Sequence, residues 1–497
     1  MRLINLEWIL PILVVLPLGV SLLLFFIRNY LISTLITIFT CIFIFIISVY
    51  LLFASSAIPI SYFFGNFLAP FGIEYRSDIL KLFFIILISF VALISSIYQK
   101  KSILLESNLQ KPYFYNPIFL LALCGSIGIV ITEDAFNLFV FLEILSLSTY
   151  ILIALHKNKE SSLASFNYLI IGTIAASFYV FGLGILYLLL GTLNIEDIIN
   201  KLYNYQPNNL LYFAIALICS GIFIKIGLFP LFFWLPSSYK NLITPALAFI
   251  GGTSFKVAIY MFLKIVVLMI GKNQYFNLEI IFNIVIILSI CSILYGSILI
   301  FKQNDLKLFF AFSSISHIGY IMLGVGIFSQ LSIMSSFYQL LTHSIDKVGV
   351  FLCIGIIYLY FKSINIDELK GSLKHKLILF IPFVYFSLSL VGMPGTAGFW
   401  GKFSLIYSLV YSPFRYIIAI LLFSSVLAFI YAWRLILTLY GYNLTDKISY
   451  PNEKSPFYMY LAIYILMFTS IILAFNPNFA FYMAEQIISF VILPTSE

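Results

Sequence analysis

Five charged side chains lie inside long apolar stretches of this 497-residue chain: Glu143, Lys225, Lys256, Lys347 and Lys402. Insertion scales put each at roughly 2.5–3.5 kcal/mol, so five unpaired ones would cost on the order of 12–17 kcal/mol, as much as the whole stability of a domain. A chain keeps such groups when they pair, hydrate a cavity and carry charge. His343 precedes Lys347 by one helical turn in QLLTHSIDKVGVFLCIG, which places both on one face. An imidazole that titrates near neutrality beside a lysine is suited to passing protons. The chemistry these residue types imply is proton movement through the protein. Burial lowers a lysine's proton affinity, an approaching carboxylate restores it, and an ion pair with two states binds and releases a proton.

Glu143 stands in FNLFVFLEILSLSTYILIAL, and Lys225 is its natural partner, with a static pair that fixes helix packing as the structural alternative. Lys256, in TPALAFIGGTSFKVAIYMFLKI, reads as a relay beyond Lys225 or as a lysine bonded to backbone carbonyls. Tyr260 and Lys264 follow it one and two turns on; Lys264 either extends the relay or snorkels to the interface. His317 with Ser313, Ser314 and Ser316 forms a polar patch, either a packing seam or a hydrated path. Asp346 points away from Lys347 and needs its own partner, whereas Lys402 is the candidate terminal proton donor or acceptor. Glu133 and Asp134 read as caps of the helix that follows, and Arg434 as a snorkelling residue.

The elements that must hold these groups are membrane spans. The chain is 62% hydrophobic and 9% charged, a composition foreign to soluble domains. Apolar windows mark fourteen spans: 9–26, 31–53, 79–98, 117–131, 136–155, 164–189, 210–232, 243–270, 277–300, 308–326, 331–360, 377–412, 415–440 and 457–475. They form a single membrane domain, 1–497, of an all-α polytopic protein. The first span lacks a small-residue cleavage site and reads as a retained helix. Two spans are interrupted, the seventh at Pro230 and the twelfth at Gly392, Pro394, Gly395 and Gly398, each within a few residues of a buried lysine. Irregular backbone at membrane depth survives only where protein or a hydrated cavity satisfies it, and transporters built from inverted repeats use such broken helices near the midplane.

The net charge of +8 follows the loops. Fifteen Lys and Arg fall on one side of the spans and five, Arg2, Arg76, Lys201, Lys272 and Arg415, on the other. The positive-inside rule then puts both termini on the outer, periplasmic side of a bacterial inner membrane, and the basic balance signals topology, not nucleic acid. Five cysteines lie singly in different spans with no metal or iron–sulfur spacing, and Gly182 with Gly184 lies mid-span with no strand before it. No cofactor and no metal are expected.

The stretches EDAFNLFVFLEILSLSTYILIAL, FNYLIIGTIAASFYVFGLGILYLLLGTLNIEDI, KIGLFPLFFWLPSSY, KLFFAFSSISHIGYIMLG and GTAGFWGKF resemble the D subunits of the Mrp-type multisubunit monovalent cation/proton antiporters. That superfamily is shared with the antiporter-like N, M and L subunits of respiratory complex I. By this resemblance Glu143 matches the family's glutamate on helix five, Lys225 its lysine on broken helix seven, and Lys256 that on helix eight. His343 and Lys347 match the pair on helix eleven, and Lys402 the lysine on broken helix twelve. The resemblance implies two inverted five-helix repeats, helices 4–8 (117–270) and 9–13 (277–440), joined by a hydrophilic axis along the midplane. It implies partners, the other subunits of an antiporter complex or of complex I, and H⁺ with Na⁺ as the ions moved. Lys402 departs from the M subunits, which carry glutamate there. The end at Glu497 lacks the lateral extension of the L subunits, and the His343–Lys347 pair departs from the N subunits. PGTAGF, in contrast, leans toward complex I.

Overall fold

A computed structural model of the chain describes residues 7–54, 59–106, 111–156, 158–271, 273–441 and 456–492, without the side chains of 270, 479 and 487–492. Of the loop cations, Arg2, Lys157, Lys272, Lys447 and Lys454 lie outside the described residues. The first part of the chain forms α1 (Ile9–Leu24), α2 (Tyr30–Ala54), α3 (Ile79–Glu106), α4 (Tyr115–Ile131), α5 (Ala135–Ala154) and α6 (Lys159–Leu190). A short α7 (Ile195–Tyr203) leads to α8 (Asn209–Ile226), α9 (Trp234–Asn241) and α10 (Thr244–Phe262). Then come α11 (Glu279–Leu299), α12 (Leu306–Ile327), α13 (Gln330–Phe361), α14 (Leu377–Val391) and α15 (Ala397–Val410). The chain closes with α16 (Ile417–Gly441), α17 (Phe457–Phe475) and α18 (Pro477–Ile492).

Each of the fourteen expected spans is helical, and among the described residues twelve helices are long and apolar enough to cross a membrane. Ile9–Leu24 and Leu377–Val391 are apolar but shorter. The apolar pattern marks no element at 54–78, yet a β-hairpin, Ile60–Phe63 paired antiparallel with Glu74–Ser77, sits there, and α18 follows the last expected span. Aromatic pairs pin the hairpin to the bundle (Trp8 with Tyr62 at 5.1 Å, Tyr75 with Phe141 at 6.5 Å), contacts that no local pattern announces.

The two halves of the bundle carry the same device at the same interval. Ala135 donates to the Leu193 carbonyl and Ile195 to that of Glu133; 171 residues later, Leu306 donates to Ile364 and Ile366 to Asn304. Asp134 and Asp305 each cap the helix that follows, and α6 and α13 are both 32 residues long. Five candidate spans, an odd number, separate the copies, the interval expected of repeats of opposite orientation.

Both expected breaks are present, and both begin at a glycine. α8 stops at Gly227 (φ 76°) and α14 at Gly392 (φ 86°). In each, the glycine N–H and the one after it turn back onto the last carbonyls: Leu228 onto Phe223, Met393 onto Leu388. A left-handed φ there favours glycine, and the motif satisfies carbonyls that lipid could not. Pro230 therefore lies inside a break that Gly227 has already started, and Gly398 lies inside the resumed helix α15 rather than in the break. α10 is fully enclosed, and α13 runs through the centre against α3, α10, α12, α14, α15, α17 and α18. Of the pair Gly182 and Gly184, expected to allow close helix packing, Gly182 does so, since a Cβ there would meet the Ala214 carbonyl at 2.6 Å, whereas nothing lies within 4 Å of a Cβ at Gly184.

Candidate functional site

Glu143, Ser146 and Tyr150 share one face of α5. Lys225, in the last turn of α8, turns toward that face, where its ammonium donates to Ser146 Oγ at 2.7 Å and lies 5.9 Å from the Tyr168 ring. The expected Glu143–Lys225 ion pair is not formed. Glu143 Oε1 is buried with no hydrogen-bond partner, although the Glu143 carboxylate is the charge whose field reaches Lys225. The cluster thus holds a cation on a hydroxyl and an anion nearby with an open acceptor. A hydroxyl-bound and a carboxylate-paired form of such a cluster are the two states a proton switch requires. Gly172 makes the space: a Cβ there would stand 1.9 Å from Tyr150 Oη and 3.3 Å from Lys225 Nζ. Gly172→Ala is therefore expected to lower ion transport about tenfold or more at unchanged membrane expression, measured in vesicles, because it displaces Tyr150 and Lys225 together.

A second set of side chains runs across four helices. The Lys256 ammonium on α10 donates to the Gly251 carbonyl (2.7 Å) and stands 3.9 Å from the centre of the Phe255 ring. The ammonium is thus anchored on backbone, the bond that a relay through Lys256 has to release. Phe255 packs edge-on against His343 at 5.4 Å, His343 against His317 at 4.7 Å, and His317 against Tyr320 at 6.0 Å. The Lys402 ammonium lies 4.6 Å above Tyr320 and donates to the Val391 carbonyl at 2.8 Å, beside the second break. Neither ring nitrogen of His343 has a partner, although the residue is buried. Lys347 donates to Ser313 Oγ at 3.1 Å and faces the Phe310 and Phe351 rings. The structure thus brings Lys256, His343, Lys347 and Lys402 together around His317, joined from the α12 patch by Ser313, whereas Ser314 bonds the Phe310 carbonyl of its own helix and Ser316 meets Ser297 in the seam with α11. It does not link Lys256 to the Glu143–Lys225 cluster by any direct polar contact among the described residues. Lys225 precedes its break and Lys402 follows its own, so the two lysines are not equivalent positions.

A third cluster was not legible in the same way. Glu133 does not cap α5; only Asp134 does, accepting from the Asn137 N–H at 2.6 Å. Instead Glu133 Oε1 accepts from Lys81 at 2.6 Å and from Lys264 at 2.8 Å, and Lys81 also donates to the Ile131 carbonyl. Lys264 therefore does not snorkel. It sits in the wide-turn segment Leu263–Ile270 that extends α10, which aims its side chain inward at Glu133. Burial alone would raise the Glu133 carboxyl, but the two ammonium groups outweigh it and bring it down to about 2. Lys81 sits one turn inside the third span, where the criterion that singles out Lys225 applies equally. The remaining candidate, Arg434, is exposed and lines a cavity of about 470 Å³ between α16 and the segments 300–304 and 366–370.

Comparison with known proteins agrees with this fold. Residues 132–428, more than half of the chain, match the transmembrane family described as NADH:quinone oxidoreductase/Mrp antiporter. The D subunit of the Na(+)/H(+) antiporter of Alkalihalophilus pseudofirmus is 33% identical over 378 residues, covering 74% of this chain and 75% of that one. The N subunit of the NADH-quinone oxidoreductase of Desulforudis audaxviator is 32% identical over 378 residues, covering 76% and 75%. Among solved structures, a chain of the Mrp complex from Dietzia sp. DQ12-45-1b superposes with a TM-score of 0.89 at 19% identity, over 99% of this chain and 98% of that one. A chain of respiratory complex I from Thermus thermophilus gives 0.75 at 22% identity, over 96% and 99%; these two likenesses establish a shared fold. A multi-pass membrane protein with broken helices around buried lysines, it belongs to the NADH:quinone oxidoreductase/Mrp antiporter transmembrane family.

Proposed function

We propose that the chain is the proton-translocating subunit of a multisubunit monovalent cation/proton antiporter, exchanging Na⁺ for H⁺ together with partner subunits. The observation that carries this reading is the Glu143–Ser146–Lys225 cluster. It holds a buried ammonium on a neutral hydroxyl, within the field of a carboxylate whose second state would be a direct pair. The repeats, 117–270 and 277–440, form two half-channels, and Lys256, His343, Lys347 and Lys402 carry protons between them along the midplane. Lys225 and Glu143 load the first half-channel; Lys402, free to leave the Val391 carbonyl, discharges the second. The excess of Lys and Arg on one side of the spans supports periplasmic termini in a bacterial inner membrane.

A second reading, a proton-pumping N-like subunit of NADH:quinone oxidoreductase, is favoured by the PGTAGF segment and by the N-subunit relatives. Everted vesicles carrying the chain with its neighbouring gene products separate the two. Under the antiport reading, adding Na⁺ to vesicles holding a preset pH gradient collapses the gradient with no electron donor present. Proton movement seen only with NADH and quinone, and copurification with flavin and iron–sulfur proteins, would establish the second reading and overturn the first.

A further inference from the structure

Asp346 is a buried carboxylate in the middle of α13, 1% exposed, and the lysine beside it in sequence turns the other way, to Ser313. Its Oδ2 accepts from Ser389 Oγ at 2.5 Å and its Oδ1 from Ser470 Oγ at 2.7 Å. Ser389 is in the last turn of α14, and its hydroxyl oxygen also accepts from the Gly398 N–H at 3.1 Å, in the first turn of α15. Ser470 is on α17 and accepts from Tyr385 Oη at 3.3 Å. One carboxylate therefore ties together both sides of the second break and a third helix. No cation pairs with it among the described residues, and an ionised carboxylate without one is costly at this depth.

Of the charged and titratable groups on the helices packed around α13, Lys256, Lys402, His317, Lys81, Glu106 and Lys307 are engaged elsewhere, Glu106 accepting from Ser102 and the Thr244 N–H and Lys307 donating to the Leu242 carbonyl, and Glu485 on α18 is exposed. Lys256 is on the Gly251 carbonyl, Lys402 on the Val391 carbonyl, His317 against His343, and Lys81 on Glu133. Those within the field of Asp346 are the phenols Tyr338 and Tyr385.

We propose that Asp346 is a proton-binding site, outside the lysine file, whose state sets the geometry of the second helix break and so the position of Lys402. Ionised, it accepts from both serines and locks α14, α15 and α17. On taking a proton at one oxygen, that oxygen becomes a donor, one serine hydroxyl loses its acceptor, and the link through Ser389 to Gly398 loosens. Lys402 hangs on the last residue of α14 across the same break, so it moves with the link. Asp346 is on this argument a positioning residue, and its role in transport rests on the antiport reading above.

The test is difference infrared spectroscopy of the membrane-embedded complex across pH, paired with the pH profile of transport. The expected result is a protonated-carboxyl band that responds to pH, lost in Asp346→Asn and kept in Glu143→Gln. Ser389→Ala and Ser470→Ala each remove a donor to the ionised form, so each shifts the titration up by about one pH unit, and the transport profile follows. A band that survives Asp346→Asn, or a titration that neither serine variant moves, overturns the proposal. The band is read without transport, so vesicles that fail to exchange Na⁺ for H⁺ would refute the antiport reading alone.

Discussion

Lys225→Arg is expected to abolish proton-coupled transport although the charge is kept. An arginine does not release its proton at accessible pH, so the cycle between hydroxyl-bound and carboxylate-paired states would move no proton. The loss should be at least about 100-fold, equivalent to roughly 2.7 kcal/mol on the rate-limiting step. Space works in the same direction, because a Cβ at 172 would already stand 3.3 Å from Lys225 Nζ, leaving little room for the larger guanidinium. Lys225→Ala relieves that crowding and should fail as completely, whereas Glu143→Asp keeps the charge on a shorter stem and should retain partial activity. If the cluster were only structural, arginine would rank above alanine, and Asp would be the harmful change through poorer reach. The readout is transport in vesicles at matched expression of the assembled complex, and wild-type rates in Lys225→Arg would remove this lysine from the mechanism.

The largest stability effect is expected at Glu133. Glu133→Gln leaves Lys81 and Lys264 facing each other without their shared carboxylate, and losing one member of a buried ion-paired set costs about 3–5 kcal/mol. Lys264→Met should cost less, because Glu133 keeps Lys81. The pH dependence has a definite sign. The folded-state value of about 2 lies below the ordinary 4.5, so the stabilisation is complete above 4.5 and is lost only as pH falls through about 2. The difference in thermal midpoint between wild type and Glu133→Gln should therefore be constant from about pH 5 to 8. Thermal unfolding of the purified complex checks this, and a difference that vanishes within that window would show that Glu133 is not held ionised by the two lysines.

Each element was legible in the sequence to the extent that its signal is local. Apolar windows mark the fourteen spans, and the proline of the seventh with the glycines and proline of the twelfth announces the breaks, because hydropathy and backbone freedom act within a few residues; that Gly227 starts the first break is seen only in the structure. Contacts between distant segments carry no such signal. The Lys225–Ser146 bond spans 79 residues, and nothing at Ser146 distinguishes it from the many serines that bond their own helix. Glu133 looked like a cap because acidic residues before a helix usually are; its partners, Lys81 and Lys264, come from helices 52 and 131 residues away. The hairpin at 60–77 is held by rings from outside it, Trp8 at the start of α1 and Phe141 on α5, so its own composition reads as loop. Asp346 was legible as a residue in need of a partner, but Ser389 and Ser470 emerge only once the broken helix and α17 are packed against it.

The central claim is that Glu143 is the mobile member of a proton switch with Lys225. The measurement that tests it most directly is Na⁺-driven collapse of a preset pH gradient in vesicles carrying the complex with Glu143→Gln, at wild-type expression and assembly. The amide keeps the shape but cannot pair with the ammonium as an anion, so the expected result is no collapse above the level of vesicles lacking the chain. Full collapse by Glu143→Gln would contradict the account.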